Sequence, residues 1–259
     1  MDIIVCIKQV PDTTDVKINP ETNTLIREGV RSIVNPFDVY AIEEGLRLKE
    51  RHGGKVTVIT MGPPQAVDAL RESIAMGADE AMLISDRAFA GSDTLATSYT
   101  LSQAIKKIGR FDIIICGKQA LDGDTAQVGP GIAVQLMLPQ VAFVKKIEQV
   151  EKASITVLRM TEEGHDVVRV TRPCLLTVVK EINIPRYASL VGKVRAKRMR
   201  IPVWGPGDLH CEEKRLGLTG SPTWVQKIFA PPVRQGGTPV AGTPENIEKV
   251  AKEVVKFLE

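Results

Sequence analysis

Residues 3–7 are apolar at every position, and the run stops at Val10-Pro11-Asp12. This is the pattern of a parallel strand buried on both faces and followed by a turn. Val16 to Ile18 and Thr24 to Ile26 flank Asn19-Pro20-Glu21-Thr22-Asn23, which predicts a hairpin. Asn35-Pro36 then supplies an N-cap and a proline at the first helical position, with Val39, Ile42, Leu46 and Leu48 behind it at roughly helical spacing. Capping suffices to explain Asn35. Gly53-Gly54 ends that helix, and a β-branched strand over 56–60 delivers Met61-Gly62-Pro63-Pro64. A helix over 67–76, a strand over 81–84 and a helix opened by Ser92-Asp93-Thr94 and running to about 108 follow. The most apolar strand, 112–116, opens into Gly117-Lys118-Gln119. Such alternation predicts right-handed βαβ units around a parallel sheet.

After Pro139 the pattern changes to strand runs without helices, over 141–150, 154–160, 167–170 and 175–181, with a turn at Gly164. This predicts a β-rich closure of the same domain. From 185 onward the texture is irregular, with Pro202, Pro206, Pro222, Pro231, Pro232, Pro239 and Pro244 before a last helix over 244–258. The expected organisation is an α/β nucleotide-binding domain over 1–184, a loop over 185–200, and an arm over 201–259 that lies across this domain or a partner.

A chain of 259 residues accommodates one large α/β domain with an appendage. Aromatic residues make up only 4%, so platforms for stacking bases are scarce. The net charge of +3, from 34 basic and 31 acidic side chains, argues against a surface coated evenly for nucleic acid. Cys6, Cys116, Cys174 and Cys211 form no CxxC pair, and three lie in apolar runs, as expected of buried thiols in a reducing compartment. The uncharged stretch 128–144 contains Gly129, Pro130, Gly131, Gln135, Pro139 and Gln140, which is no membrane span. A strand at residues 2–7 leaves no room for a signal peptide, so a cytoplasmic location is expected.

Ligands of open parallel sheets bind beyond the carboxyl ends of the strands. Those ends here are residues 8–12, 35–38, 61–64, 91–97 and 117–129, which together make one rim. The last segment is rich in small residues that let backbone N–H groups approach an anion, and Thr125 and Gln127 can open a helix whose dipole favours phosphate. Asp122 and Asp124 are odd neighbours for phosphate. They can bind a metal, hydrogen-bond a ribose, or hold the turn. Ser92, Asp93 and Thr94 are explained equally by helix capping. Neither GxxxxGK[ST] nor GxGxxG occurs, and His52, His165 and His210 form no HExxH. No catalytic residue or metal set can be named, which favours a chain that holds a cofactor. Arg186, Lys193, Arg195, Lys197, Arg198 and Arg200 surround Tyr187, Leu190 and Val191 with no acidic residue between 186 and 200. An apolar tip ringed by cations suits docking, although a charge run is also what a solvated face looks like. Removing those six from the 34 basic residues leaves 28 against 31 acidic ones, a nearly neutral domain carrying one cationic loop.

These segments resemble the beta subunit of an electron transfer flavoprotein. The resemblance runs from residue 3 to about 197 and more weakly to the C-terminus. It rests on Lys8-Gln9-Val10-Pro11-Asp12, Asn35-Pro36-Phe37-Asp38, the stretch 71–79 ending Ala75-Met76-Gly77-Ala78-Asp79, residues 117–129, and Pro185-Arg186-Tyr187. Arg159, Glu162-Glu163-Gly164, Pro173 and Leu175-Leu176 also follow the family's pattern, with Asp166 where that pattern prefers Glu or Gln. The resemblance implies a heterodimer with an alpha subunit and a three-layer, mostly parallel α/β fold of the adenine-nucleotide-binding (HUP-like) type. It further implies a C-terminal arm wrapping the alpha subunit. Carried onto this chain, the nucleotide contacts fall on Cys6, Asn35, Pro36, Phe37, Asp38, Met61, Gln119, Ala120, Asp122, Gly123, Asp124, Thr125, Ala126, Gln127, Val128 and Gly129.

Housekeeping members of the family hold AMP there. Members that oxidise NADH and split its electron pair hold a second FAD. Residues 122–130, and 89–94 leading to Thr97, resemble the latter, which moves Thr94 and Thr125 from caps towards flavin pyrophosphate contacts and places Ser92, Asp93 and Thr97 among the cofactor-binding residues. One electron would pass to the alpha-subunit FAD and a dehydrogenase, the other to ferredoxin or flavodoxin. Leu190 matches the family's recognition-loop anchor on an acyl-CoA dehydrogenase, with Tyr187, Lys193, Arg195 and Lys197 around it. Two rivals of other classes stand beside this reading. A nucleotide-binding regulatory module similar to universal-stress domains needs neither the tail nor the basic loop, and RNA binding through 186–200 lacks an aromatic stacking set.

Overall fold

The computed structural model describes residues 1–12, 17–18, 25–26, 32–226, 243 and 246–258. The main body comprises Met1–Lys17 and Ile26–Gln226. It opens with β1 (Asp2–Ile7), β2 (Gln9–Pro11), β5 (Ser32–Val34) and α1 (Pro36–His52), between which β3 (Lys17–Ile18) pairs with β4 (Leu25–Ile26). The rest of the hairpin expected around Asn19 to Asn23 lies outside the described residues. Next come β6 (Lys55–Met61), α2 (Val67–Met76), β7 (Glu80–Ile84), α3 (Thr94–Ile108), β8 (Ile113–Gly117) and α4 (Val128–Leu136). The chain continues with β9 (Gln140–Val150), β10 (Ser154–Met160), β11 (His165–Thr171), β12 (Cys174–Val178), α5 (Leu190–Arg198), β13 (Val203–Trp204) and α6 (Pro206–Leu209).

The main sheet has the order β11-β10-β9-β12-β8-β1-β6-β7-β13. Neighbours from β9 to β13 pair in parallel, and β10 pairs antiparallel with β9 and β11. The three-layer, mostly parallel α/β fold is therefore present. Its layers follow from strand alternation. On β1, Ile3, Val5 and Ile7 enter one core with Ile42 and Leu46 of α1 and Leu70 and Ile74 of α2. Ile4 and Cys6 enter the opposite core with Tyr99 and Ile105 of α3 and Ile132 of α4. Both faces are covered, which is why these strands read as continuous apolar runs.

The main body extends past 201, where the sequence suggests an arm begins. β13 adds to the sheet edge through Val203 and Trp204 opposite Leu83 and Ile84, and Leu209 and Leu216 are buried in the second core. Two apolar residues between prolines carry too little periodicity to announce a strand. A second unit comprises Ile18–Leu25 and Lys227–Glu259. Within it α7 spans Ile247–Leu258, and Thr243 N–H donates to the Asn246 side chain ahead of it at 2.7 Å.

Candidate functional site

Successive strands β1, β6 and β7 step across the sheet in one direction, whereas β8 lies on the other side of β1. The strand order thus reverses between β1 and β8, and the crevice beyond their carboxyl ends is where open α/β sheets bind ligands. Asp38, at the start of α1, bridges the two strand ends. Lys8 N–H donates to Asp38 Oδ2 at 2.7 Å and Gly117 N–H donates to Oδ1 at 3.2 Å. Burial pushes the Asp38 carboxyl up to about 7 against the opposing pull of these N–H groups, the Asn35 amide and the Lys8 charge. Gly117 is required by this geometry, because a Cβ there would lie 2.7 Å from the carbonyl carbon of Phe37. Cys6 and Cys116 are in register across β1 and β8, and a hydrogen bond to Cys6, together with burial, pushes the Cys116 thiol well above its usual range. The raised Cys116 is a protonated, inert thiol.

Asn35 is fully buried, and its side chain makes no capping bond to the N–H groups of its own helix. The expected capping role is thus replaced by another. Its Nδ2 donates to the Gln119 carbonyl at 2.8 Å and its Oδ1 accepts from Leu121 N–H at 3.1 Å. Asn35 therefore staples loop 118–127 to α1. The loop's two carboxylates are also engaged: Lys8 Nζ lies 2.7 Å from both oxygens of Asp122, and the Gln119 amide donates to Asp124. Among the described residues no group of three His, Cys, Asp or Glu is placed to hold a metal. Asp124 and Ala126 adopt φ of 51° and 54°, a left-handed conformation that costs an alanine about 1–2 kcal/mol. Such strain persists where the surroundings over-determine it.

The loop leads into α4. The N–H groups of residues 125–129 have no acceptor among the described residues, and they precede or open the N-terminal turn of that helix. Orphan donors at a helix N-terminus suit a phosphate. At Gly129 a Cβ would lie 2.7 Å from Thr177 Cγ2, so the helix can approach β12 this closely only with glycine. Thr94 joins this group by donating to Gln127 Oε1 at 3.0 Å.

Asp93 behaves differently. Its carboxylate accepts from Leu95 and Ala96 N–H at the start of α3 and from Thr223 N–H and Oγ1, while its own N–H donates to Ser221 Oγ. Burial works to raise this carboxyl, and the four donors outweigh it and hold it below its usual range. Asp93 is a clamp that ties residues 221–223 to α3. Ser221 and Thr223 carried no sequence signal, since their partner is more than a hundred positions away. Ser92 turns back onto the Phe89 carbonyl, and Met61 and Thr97 lie at the neighbouring ends of β6 and α3 without side-chain polar bonds.

The electron transfer flavoprotein domain family matches residues 22–208. The electron transfer flavoprotein subunit beta of Thermoanaerobacterium thermosaccharolyticum is 51% identical over all of this chain and 98% of its own. The chain belongs to the electron transfer flavoprotein beta subunit family. Subunit CarD of the caffeyl-CoA reductase-Etf complex of Acetobacterium woodii is 50% identical over 100% of this chain and 98% of its own. Protein FixA of Azorhizobium caulinodans is 48% identical over 90% of this chain and 86% of its own. Beta subunits of this family transfer electrons, pair with an alpha subunit and bind a flavin or AMP. Among the described residues no helix is long and apolar enough to cross a membrane.

The beta subunit's basic segment is a helix rather than a loop, with Ser189 Oγ capping α5 through Gly192 N–H. Tyr187 is 99% and Leu190 82% exposed, with Val191 exposed beside them. The six cations divide into two kinds. Arg186 is spent on Glu43 and Glu50 of α1, and Arg195 donates to the Ala78 and Asp79 carbonyls. Burial acts to raise Glu43, yet the Arg186 hydrogen bonds hold it below its usual range. Lys193, Lys197, Arg198 and Arg200 have no ion-pair partner among the described residues. Of the six cations only Arg186 is neutralised by an ion pair among the described residues, while Arg195 keeps its charge with its position fixed by carbonyls.

Proposed function

We propose that this chain is the beta subunit of a flavin-bifurcating electron transfer flavoprotein. In this reading an FAD occupies the rim and NADH is the donor. The acceptors are the alpha subunit's FAD, serving an acyl-CoA or similar dehydrogenase, and ferredoxin or flavodoxin. The observation that carries it is the cradle of unpaired N–H groups over 125–129, opening α4 at the strand-order reversal, with the preceding loop fixed by Asn35. Its donor set fits a nucleotide pyrophosphate. Bound there, FAD would supply hydride acceptance and one-electron release.

The chain's own residues bind and orient. Thr94, Thr125, Gln127 and the N–H groups through Gly129 would hold phosphate, and Asn35 and Asp38 keep the loop and both strand ends in register beneath it. Side chains react nowhere in this scheme. The kinship with a subunit named for a caffeyl-CoA reductase complex supports an oxidoreductase of CoA thioesters as the dehydrogenase partner. The exposed Tyr187 and Leu190, with Lys193 and Lys197 and fixed Arg195 near them, are the docking surface in this reading.

The test is the nucleotide content of the purified heterodimer, followed by spectral titration with NADH. Two FAD per heterodimer, both bleached by NADH, are expected. One FAD with one AMP and no reaction with NADH would overturn the bifurcating assignment and leave a housekeeping electron carrier.

A further inference from the structure

The rim contains an electrostatic contradiction. Its phosphate-type cradle over 125–129 begins three residues after Asp122, whose side chain is a third exposed. An unneutralised carboxylate so close to a bound phosphate opposes binding, since like charges a few ångströms apart repel by about 1–4 kcal/mol at effective dielectric constants between water and a protein surface. The chain answers the charge from far away in sequence. Lys8 Nζ sits 2.7 Å from both Asp122 oxygens. Its root is rigid, because Lys8 N–H donates to Asp38 and the Lys8 carbonyl accepts from Asn35 N–H at 2.8 Å. Lys118, at the same end of β8, is turned over the Phe143 ring instead. Exposed ion pairs add little to fold stability, about 0–1 kcal/mol, so this one matters for the local potential.

We propose that Lys8 is a positioning residue that admits phosphate to the cradle by neutralising Asp122, and acts through that carboxylate rather than on the ligand. The inference rests on the reading of the rim as a nucleotide site. It makes Asp122 a loop-closing group whose charge must be masked, and it assigns to Lys8 a specificity role that scales with the charge of the ligand.

The experiment uses the full chain paired with an alpha subunit carrying its own FAD, with the beta site emptied. Adenosine, AMP and ADP binding are measured by calorimetry for wild type, Lys8→Met, Asp122→Asn and the double variant. Lys8→Met should weaken AMP about tenfold, the low end of the repulsion expected from one uncompensated charge, and ADP more. Adenosine should stay within about twofold. Asp122→Asn in the Lys8→Met background should restore AMP to within about threefold of wild type. A double variant as weak as Lys8→Met would mean that Lys8 meets the phosphate directly, which overturns the proposal. Unchanged AMP binding in Lys8→Met, or an equal loss for adenosine, overturns it as well. Wild type that binds none of the three ligands refutes the nucleotide reading itself.

Discussion

The rim at β1 and β8 and the surface around α5 are both rich in polar and charged groups, yet they spend them in opposite ways. At the rim nearly every side chain is bonded within the chain: Asn35 to the loop backbone, Asp38 to two strand ends, Lys8 to Asp122, Gln119 to Asp124. What remains unpaired is backbone N–H. Around α5 the apolar tips Tyr187 and Leu190 and four cations remain free of such bonds, and Ser189 caps the helix through Gly192 N–H. A small ligand is held best by donors fixed before it arrives, because ordering them afterwards would cost affinity. A protein partner brings its own complementary surface, so exposed anchors and steering charges suffice.

Substitutions that spare one region and damage the other separate these two designs. The largest effect should come from Asn35→Ala, which leaves the Gln119 carbonyl and the Leu121 N–H without partners. Two unsatisfied groups cost about 2–6 kcal/mol together. Nucleotide retention through gel filtration should collapse while dehydrogenase docking by the refolded heterodimer persists. Full nucleotide retention would show that the loop is fixed without Asn35. Leu190→Glu should do the reverse, weakening docking about thirtyfold, near 2 kcal/mol for a central anchor, with flavin content unchanged. Loss of flavin in that variant would join the two regions and end the contrast.

The βαβ framework was legible because strands buried on both faces must be apolar throughout, as residues 3–7 and 112–116 are. The rim was legible too, since strand ends in such a sheet converge. What holds the rim together was not. Lys8–Asp122, Asn35–Gln119 and Asp93–Thr223 pair residues more than eighty positions apart, and no local pattern marks a partner at that distance. Asn35 even carried a sufficient false explanation, because Asn-Pro is a good helix start whether or not the side chain caps it. The helix at α5 was hidden by its charge: Ser189 three residues before Gly192 is a cap signal, but the cations and apolar tip read as a docking loop. The split of those cations into bonded Arg186 and Arg195 and unpaired Lys193 and Lys197 depends on Glu43, Glu50 and two carbonyls of other elements.

The finest separation lies within one helix. Asp38 and Glu43 are five residues apart on α1, one serving the rim and one holding Arg186 in the segment that leads to α5, and their carboxyls are displaced in opposite directions. Asp38 is raised to about 7 from 3.8, so its folded form binds a proton that the unfolded chain has released. Its contribution is complete below about pH 4 and is lost as pH rises to about 7. Glu43 is lowered, so its contribution is present above the usual glutamate range and is lost as pH falls below it. Chemical denaturation between pH 5 and 7 therefore reads Asp38 alone of the two. Asp38→Asn should remove a downward slope of at most about 1.4 kcal/mol per pH unit, the equivalent of one proton. Glu43→Gln should leave that slope intact and flatten the curve only below about pH 4.5. An Asp38→Asn curve parallel to wild type across pH 5–7 would place the carboxyl at an ordinary value and remove the rim's distinction as a desolvated floor.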